Sequence, residues 1–285
     1  MNICPLCGSS HQTNHLLFEG YSYKKCNHCS LVFLDKDFTP APAENNIYNQ
    51  DYIEKRGHDA LNSNIAKAKN ITAVHYLNLL EKLIPKGNLL EIGCSTGITL
   101  KAAEASGWRV YGVEINQAAI DIARERLNIQ TIKLGPLNQK MFIDNFFSAV
   151  LMFDVLEHLR YPLTHIEIVR NKLKQRGLVL IITPNINSLS AKLLKDKWPH
   201  LFLEHVCLYS PKSLQYLLER NGFKIIKMSW AVKFVSLNMI TYHLKNHPHL
   251  LFSKPLLFIL SRLKLFENII FPLNIGEICV LAEKQ

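Results

Sequence analysis

The sequence predicts an α/β protein built on a doubly wound parallel sheet covered on both faces, preceded by a small cysteine-rich module. Three observations lead there. From about residue 61 onward, short apolar segments alternate with amphipathic ones. The short segments are apolar at nearly every position rather than every second one. Four cysteines are grouped in two pairs near the N-terminus. Alternation of strand and helix calls for crossover connections, and strands that are apolar throughout belong to sheets sandwiched between helices.

The elements follow in order. Ile65, Ala68, Ile71, Val74, Leu77, Leu80 and Leu83/Ile84 recur at spacings of three and four, giving an amphipathic helix stopped by Pro85 and Gly87. Strands are expected at 88–93, 109–114, 130–134, 147–153 and 178–183, with helices near 97–106, 117–127 and 163–174. A further helix opens at Ser210-Pro211, an N-cap and first-turn pair, and closes at Asn221-Gly222. Phe223–Trp230 reads as a strand, then an apolar helical insertion at about 234–272, then a last strand, 277–282. The domains expected are a module at 1–35, a polar linker at 36–60 carrying Pro40 and Pro42, and a main domain at 61–285.

Cys4-Pro5-Leu6-Cys7 and Cys26-Asn27-His28-Cys29 form C-x2-C-x18-C-x2-C, the spacing of a Cys4 zinc-ribbon-like site. Each x2 turn lets both sulfurs face one ion, and four thiolates saturate a tetrahedral Zn2+, which makes the site structural. A unit of this size cannot build a sufficient core, so metal binding would supply its folding free energy. The alternative is four free thiols, and His28 is an alternative ligand in a mixed site. No signal peptide and no run of about 18 apolar residues is visible, so a cytoplasmic protein with unbridged cysteines is expected.

The net charge of +10 invites anionic partners. It is concentrated in one stretch. Residues 160–233 carry 13 basic and 4 acidic residues, a net of +9, against −1 for 1–159 and +2 for 234–285. Lys172, Lys174 and Arg176 are expected on a solvated helix face.

Glu91-Ile92-Gly93-Cys94-Ser95-Thr96-Gly97 joins the first main-domain strand to a helix. Glycines there allow a tight turn and the close approach of a ligand to backbone N–H groups. The G-x-x-x-G spacing departs from the dinucleotide fingerprint G-x-G-x-x-G. The next strand ends in Glu114, placed where an acid accepts hydrogen bonds from ribose hydroxyls, and Asn116 is the expected cap of the following helix.

Leu89–Gly97 followed by Val113-Glu114 resembles the first two cofactor motifs of class I S-adenosylmethionine-dependent methyltransferases. The likeness continues through Phe147–Leu159 and Gly177–Asn185. Trp198-Pro199-His200, Glu204-His205, Tyr209-Ser210, Ser213-Leu214 and Gly222-Phe223 resemble the branch related to ubiquinone-biosynthesis O-methyltransferases. The resemblance covers about residues 61–230. It implies a seven-stranded, mostly parallel sheet whose last strand is antiparallel. It implies S-adenosylmethionine as cofactor, with Glu91, Gly93, Cys94 and Gly97 around its methionine part, Glu114 at the ribose and Asp154 beside it at the sheet edge. The acid usual after the third strand is missing from Lys133–Asn138, so adenine contacts are left unassigned.

Methyl transfer needs in-line approach of a nucleophile, exclusion of water and, for some acceptors, removal of a proton. The bases considered are His158 and His205, followed by Glu157 and Tyr209; a purely structural His158 is the competing reading. Phe153-Asp154-Val155-Leu156 lacks the Asn/Asp-Pro-Pro-aromatic loop of enzymes that resemble base-amine methyltransferases, which favours oxygen or carbon acceptors. The expected acceptor is a small anionic molecule: a sugar, nucleotide-sugar or lipid-linked intermediate. An RNA methyltransferase using the ribbon for recognition is the alternative, and a non-catalytic zinc-ribbon adaptor a second. The insertion at 234–272 is open between a lid, a dimer surface, a peripheral membrane contact and a buried hairpin.

Overall fold

A computed structural model describes residues 3–35, 63–246 and 269–285. The expected linker at 36–60 and the central, most apolar part of the insertion, 247–268, lie outside the described residues.

Three strands open the chain: β1 (Gln12–Phe18), β2 (Tyr21–Cys26) and β3 (Val32–Leu34). The main domain then runs α1 (Ser63–Glu81), β4 (Asn88–Ile92), α2 (Ile98–Ala105), β5 (Arg109–Glu114), α3 (Gln117–Leu127), β6 (Ile132–Leu134), β7 (Phe147–Phe153), α4 (Pro162–Lys172) and β8 (Leu173–Pro184). It continues with α5 (Leu189–Leu194), β9 (Cys207–Leu208), α6 (Pro211–Arg220), β10 (Phe223–Trp230), β11 (Lys233–Ser236), α7 (Leu237–Asn246), β12 (Ile270–Leu273) and β13 (Glu277–Lys284).

Seven strands form one sheet in the order β10-β13-β8-β7-β4-β5-β6. The five from β8 to β6 are parallel, and β13 lies antiparallel between β8 and β10. Successive side chains of a strand point to opposite faces, which explains why these strands are apolar throughout. Leu90, Val150, Met152, Val179, Ile181 and Val280 pack on one side against α4 and α6 through Ile166, Val169, Leu214 and Leu217. Leu89, Leu151, Leu180, Ile182 and Leu281 pack on the other against α1, α2 and α3 through Leu77, Leu80, Leu100 and Ile120.

The helix ends follow local chemistry. Asn116 caps α3 by accepting from the Ala119 N–H at 3.1 Å. Ser210 and Ser213 form a reciprocal capping box on α6, with Pro211 in its first turn. Two expectations are corrected. β8 starts at Leu173, not 178, because a bulge between Phe147 and Ala149 lets 174–177 extend the strand. Lys174 and Arg176 therefore lie on an exposed strand extension, and Lys172 is not solvated at all. Its ammonium is buried, donating to the Gln139 and Phe142 carbonyls at 2.6 Å and to Asp144 at 2.7 Å.

The insertion is also not purely helical. It opens and closes as an antiparallel ribbon, with Lys233 opposite Leu273 and Ser236 opposite Ile270. Phe234 and Val235 favour extended backbone, and the ribbon is fastened to α1. Phe234 N–H donates to Thr72 Oγ1 at 2.9 Å, and the Tyr76 hydroxyl both donates to Val232 O and accepts from Val232 N–H.

The cysteine-rich segment builds a second sheet, β1-β2-β3-β9, whose last strand belongs to the main domain. Cys4, Leu6, Cys26, Cys29 and Leu31 are buried in the same apolar cluster as α4 and α6. The module thus completes one face of the main domain.

Candidate active site at the carboxyl edge of the sheet

The carboxyl ends of β4, β5, β7 and β8 meet along one edge, the place where open α/β sheets bind ligands. After β4, Gly93 (φ 68°) and Gly97 (φ 79°) adopt left-handed backbone, and Gly97 starts α2. A Cβ on Gly93 would stand 2.6 Å from Val155 Cγ2, so the loop passes hard against the end of β7. Glu114 is largely buried and holds this loop from β5. Its Oε2 accepts from Ser95 N–H at 2.8 Å, and its Oε1 from Ile115 N–H at 2.8 Å and Asn116 N–H at 3.0 Å. Glu114 therefore shapes the loop, accepting from three backbone N–H groups.

Glu91 lies beneath the loop, and its Oε2 is buried without a hydrogen-bond partner among the described residues. Burial pushes its carboxyl up to about 8. Thr99 hydrogen-bonds the carboxyl, and a ligand carrying positive charge, as S-adenosylmethionine does, would draw off its proton and pair with the oxygen left over. Cys94 is turned away from the edge: its Sγ sits 2.7 Å from where a Gly112 Cβ would be, in the core against Leu100. Burial holds the thiol far above the ordinary range, so it is a packing group and not a nucleophile.

On the acceptor side, Asp154 follows β7 in left-handed backbone (φ 54°) with its N–H on Ile182 O at 3.0 Å. Its carboxylate meets Lys233 Nζ at 2.6 Å, and the same ammonium reaches Glu277 Oε1 at 2.6 Å. Glu277 is buried, which raises its carboxyl to about 7 against the pull of Lys233. Burial would lower Lys233, but the two carboxylates outweigh it and keep the side chain an ammonium. Lys233 escaped the sequence reading because it stands at the head of an insertion, 79 residues from Asp154, with no motif around it.

His158 and His205 come together, with ring centroids 4.7 Å apart and nearly perpendicular planes. His158 Nδ1 lies 3.0 Å from Glu204 O, and His205 Nδ1 lies 2.7 Å from His200 O. A carbonyl only accepts, so in each neutral ring Nδ1 carries the proton and Nε2 the lone pair. Burial drives His205 down to about 3, which keeps it neutral. Glu157, fully buried and donated to by Thr183 Oγ1 at 2.9 Å, has its carboxyl raised by burial and brings an oxygen within 4.8 Å of both imidazoles. These three could receive a cation. Tyr209 is fully buried and directed at Leu156 O, which removes it as a base. An open cavity of about 590 Å3 lined by Asn185, Pro211, Met228, Ser229, Trp230 and Ile278 lies at the same carboxyl edge, on the β8–β13–β10 side of the sheet.

In the cysteine cluster, Cys4 and Cys29 Sγ are 3.5 Å apart and Cys7 and Cys26 Sγ 3.4 Å, with all four within 4.8 Å of one another. Zinc–sulfur bonds of about 2.3 Å in a tetrahedron put sulfurs roughly 3.8 Å apart. The four thiols fit that ion.

Solved structures share this fold. A family model described as a methyltransferase domain matches residues 65–228. The chain is 29% identical over 157 residues to an uncharacterised protein of Methanocaldococcus jannaschii, covering 55% of this chain and 74% of that one. It is 24% identical over 127 residues to a ubiquinone biosynthesis O-methyltransferase of Histophilus somni, covering 41% of this chain and about half, 52%, of that enzyme. Among solved structures, a possible histamine N-methyltransferase of Thermotoga maritima superposes with TM-score 0.55 at 16% identity, over 84% of this chain and 99% of that one. An S-adenosylmethionine-dependent methyltransferase of Archaeoglobus fulgidus gives 0.53 at 16% identity, over 83% and 100%. With a matching family model over more than half its length, on this sheet and this glycine loop, the chain belongs to the methyltransferase-domain family and is a class I S-adenosylmethionine-dependent methyltransferase.

Proposed function

We propose that the protein methylates an oxygen or carbon of a small anionic acceptor, a sugar, nucleotide-sugar or lipid-linked intermediate, held between Asp154, His158 and His205. The observation that carries this reading is the pair of imidazoles at the end of β7, both with Nε2 as the basic nitrogen. Bound S-adenosylmethionine supplies the electrophilic methyl group. Glu91, Gly93, Gly97 and Glu114 hold it, with Cys94 contributing backbone only. For an oxygen acceptor, His158 takes the hydroxyl proton as the oxygen gains the methyl, and His205 packs against it as a neutral partner. Lys233 keeps Asp154 ionised, but its own charge is balanced by Asp154 and Glu277, so it adds no net positive charge to the edge. An anionic acceptor is supported only by the remaining basic residues of 160–233, and Lys172 is structural while Lys174 and Arg176 lie at the opposite end of β8.

Zinc at Cys4, Cys7, Cys26 and Cys29 is part of this reading, as a structural ion. The RNA alternative has weaker support: Lys24 of the module is already paired with Asp35 at 2.6 Å. No helix among the described residues is long and apolar enough to cross a membrane.

The test is a mass-spectrometric comparison of cell extract treated with wild-type protein or with Glu114→Ala. A methylated small molecule formed only by the wild type supports the proposal. Methylation found in RNA alone replaces it with the alternative.

A further inference from the structure

The segment 202–208 is gripped from two sides. Facing the sheet edge, Glu204 O accepts from His158 Nδ1, and His205 is itself one of the two imidazoles. Facing the cysteine module, the hydroxyl of Tyr23 on β2 donates to Phe202 O at 3.0 Å and to His205 O at 3.3 Å. Leu34 N–H donates to Val206 O at 3.0 Å, and β3 pairs with β9 through Val32–Leu208 and Phe33–Cys207. Tyr23 is fully buried, and Cys207 lies in the same apolar cluster as Cys4, Cys26 and Cys29. The strand that bears Tyr23 ends at Cys26, one of the four clustered cysteines. One short path therefore joins the cysteine cluster to both histidines.

We propose that the cysteine module is a working wall of the acceptor site and that Tyr23 is its positioning residue. Metal held by the four cysteines fixes β2 and β3, and these fix the backbone of 202–208 that aims His158 and His205. The role given to the two imidazoles rests on the methyl-transfer reading above; the mechanical coupling does not. A module serving only to cover the α4–α6 face would need apolar contacts but no buried hydroxyl directed at two carbonyls of the histidine segment. Phe202 O keeps its bond from His205 N–H at 3.0 Å when the Tyr23 hydroxyl is removed, but His205 O loses its tie to β2, so the segment loosens without creating a cavity.

The test uses the full-length protein, zinc-loaded and after chelation, with the Tyr23→Phe variant, which keeps the ring and removes one hydroxyl. Hydrogen exchange reads the amides of 202–208, 15N spectra read the histidine rings, and calorimetry reads S-adenosylhomocysteine affinity. In Tyr23→Phe, exchange at 202–208 is expected to rise about 5-fold, the equivalent of one hydrogen bond of about 1 kcal/mol. The His158 and His205 ring signals shift, while affinity for S-adenosylhomocysteine stays within about twofold. Chelation is expected to expose 12–34 and 202–208 together and to leave 93–97 protected. The proposal is overturned if chelation exposes 12–34 while 202–208 stays protected, or if Tyr23→Phe leaves the ring signals in place. Failure of the zinc-loaded wild type to bind S-adenosylhomocysteine would instead defeat the methyl-transfer reading and leave the coupling standing. Chelation of the wild type avoids dependence on a cysteine variant that fails to fold.

Discussion

The two halves of the sheet edge are built in different ways. The proposed cofactor half is local: Glu91 to Gly97 are consecutive, and Glu114 on the neighbouring strand binds back onto their loop. The proposed acceptor half is assembled from four distant segments, with Tyr23 from β2, Asp154 and His158 after β7, His205 before β9, and Lys233 at the head of the insertion. A constellation made of neighbours is set by strand register and backbone conformation. One made of distant groups depends on every element that delivers them, and is correspondingly exposed to damage far from the chemistry.

Lys233→Met attacks the assembled half most severely. It strips the cation from between Asp154 and buried Glu277, and breaking such a pair costs about 3 to 5 kcal/mol. Denaturant unfolding should show that loss, and the double variant Lys233→Met/Glu277→Gln should recover part of it. An unchanged midpoint in the single variant would mean that the triad is not assembled in solution.

Glu114→Ala attacks the local half. Removing an acceptor of three backbone N–H groups should lower S-adenosylmethionine affinity about 100-fold, a loss of about 2.7 kcal/mol, while circular dichroism stays native. Calorimetric titration reads both affinity and stoichiometry. Equal affinity in variant and wild type would remove Glu114 from the cofactor site.

The pH dependence separates the buried carboxyls from the buried imidazole by sign. Glu91 is raised in the fold to about 8 from an ordinary value near 4.5. Its stabilising contribution is complete below the unfolded value and is lost as pH rises toward 8; Glu277, raised to about 7, acts in the same direction. His205, depressed to about 3, does the opposite, with stability lost as pH falls below 6.5. Glu91→Gln should therefore flatten the alkaline limb, removing about 2 kcal/mol of the decline between roughly pH 6 and pH 8. An acid limb that survives in His205→Gln would show that another group sets it.

Gly93→Ala is the mildest of the four. Left-handed backbone and the 2.6 Å approach to the end of the Val155 side chain should cost about 1 to 2 kcal/mol. Added to Val155→Ala, most of the steric part should vanish and the backbone part remain.

Legibility in the sequence followed the same division. Gly93, Gly97, Glu114 and the Asn116 cap were readable because a turn, a strand end and a helix start each leave a signature within a few residues. Burial of β4, β7 and β8 on both faces wrote the parallel sheet into continuous apolar runs. The paired cysteines announced their cluster by spacing alone. His158 and His205 were visible as titratable groups near a strand end, but nothing local showed that their rings touch or that both present Nε2. Cys94 reads from the sequence as part of the cofactor loop, and only the packing against Gly112 shows its side chain turned inward. Lys172 looked like a solvated helix residue, since its three partners come from 28 to 33 positions away.

By itself, then, the sequence determined what short-range chemistry determines: the strand and helix order, the glycine loop, the capped helices and a four-cysteine cluster. Only the tertiary structure decided that Lys233 bridges Asp154 and Glu277, that the insertion begins as a ribbon on α1, and that the cysteine module grips the histidine segment. Local propensities depend on a residue and its near neighbours. A salt bridge across 79 positions or a hydroxyl reaching 182 positions away has no period, spacing or composition to betray it.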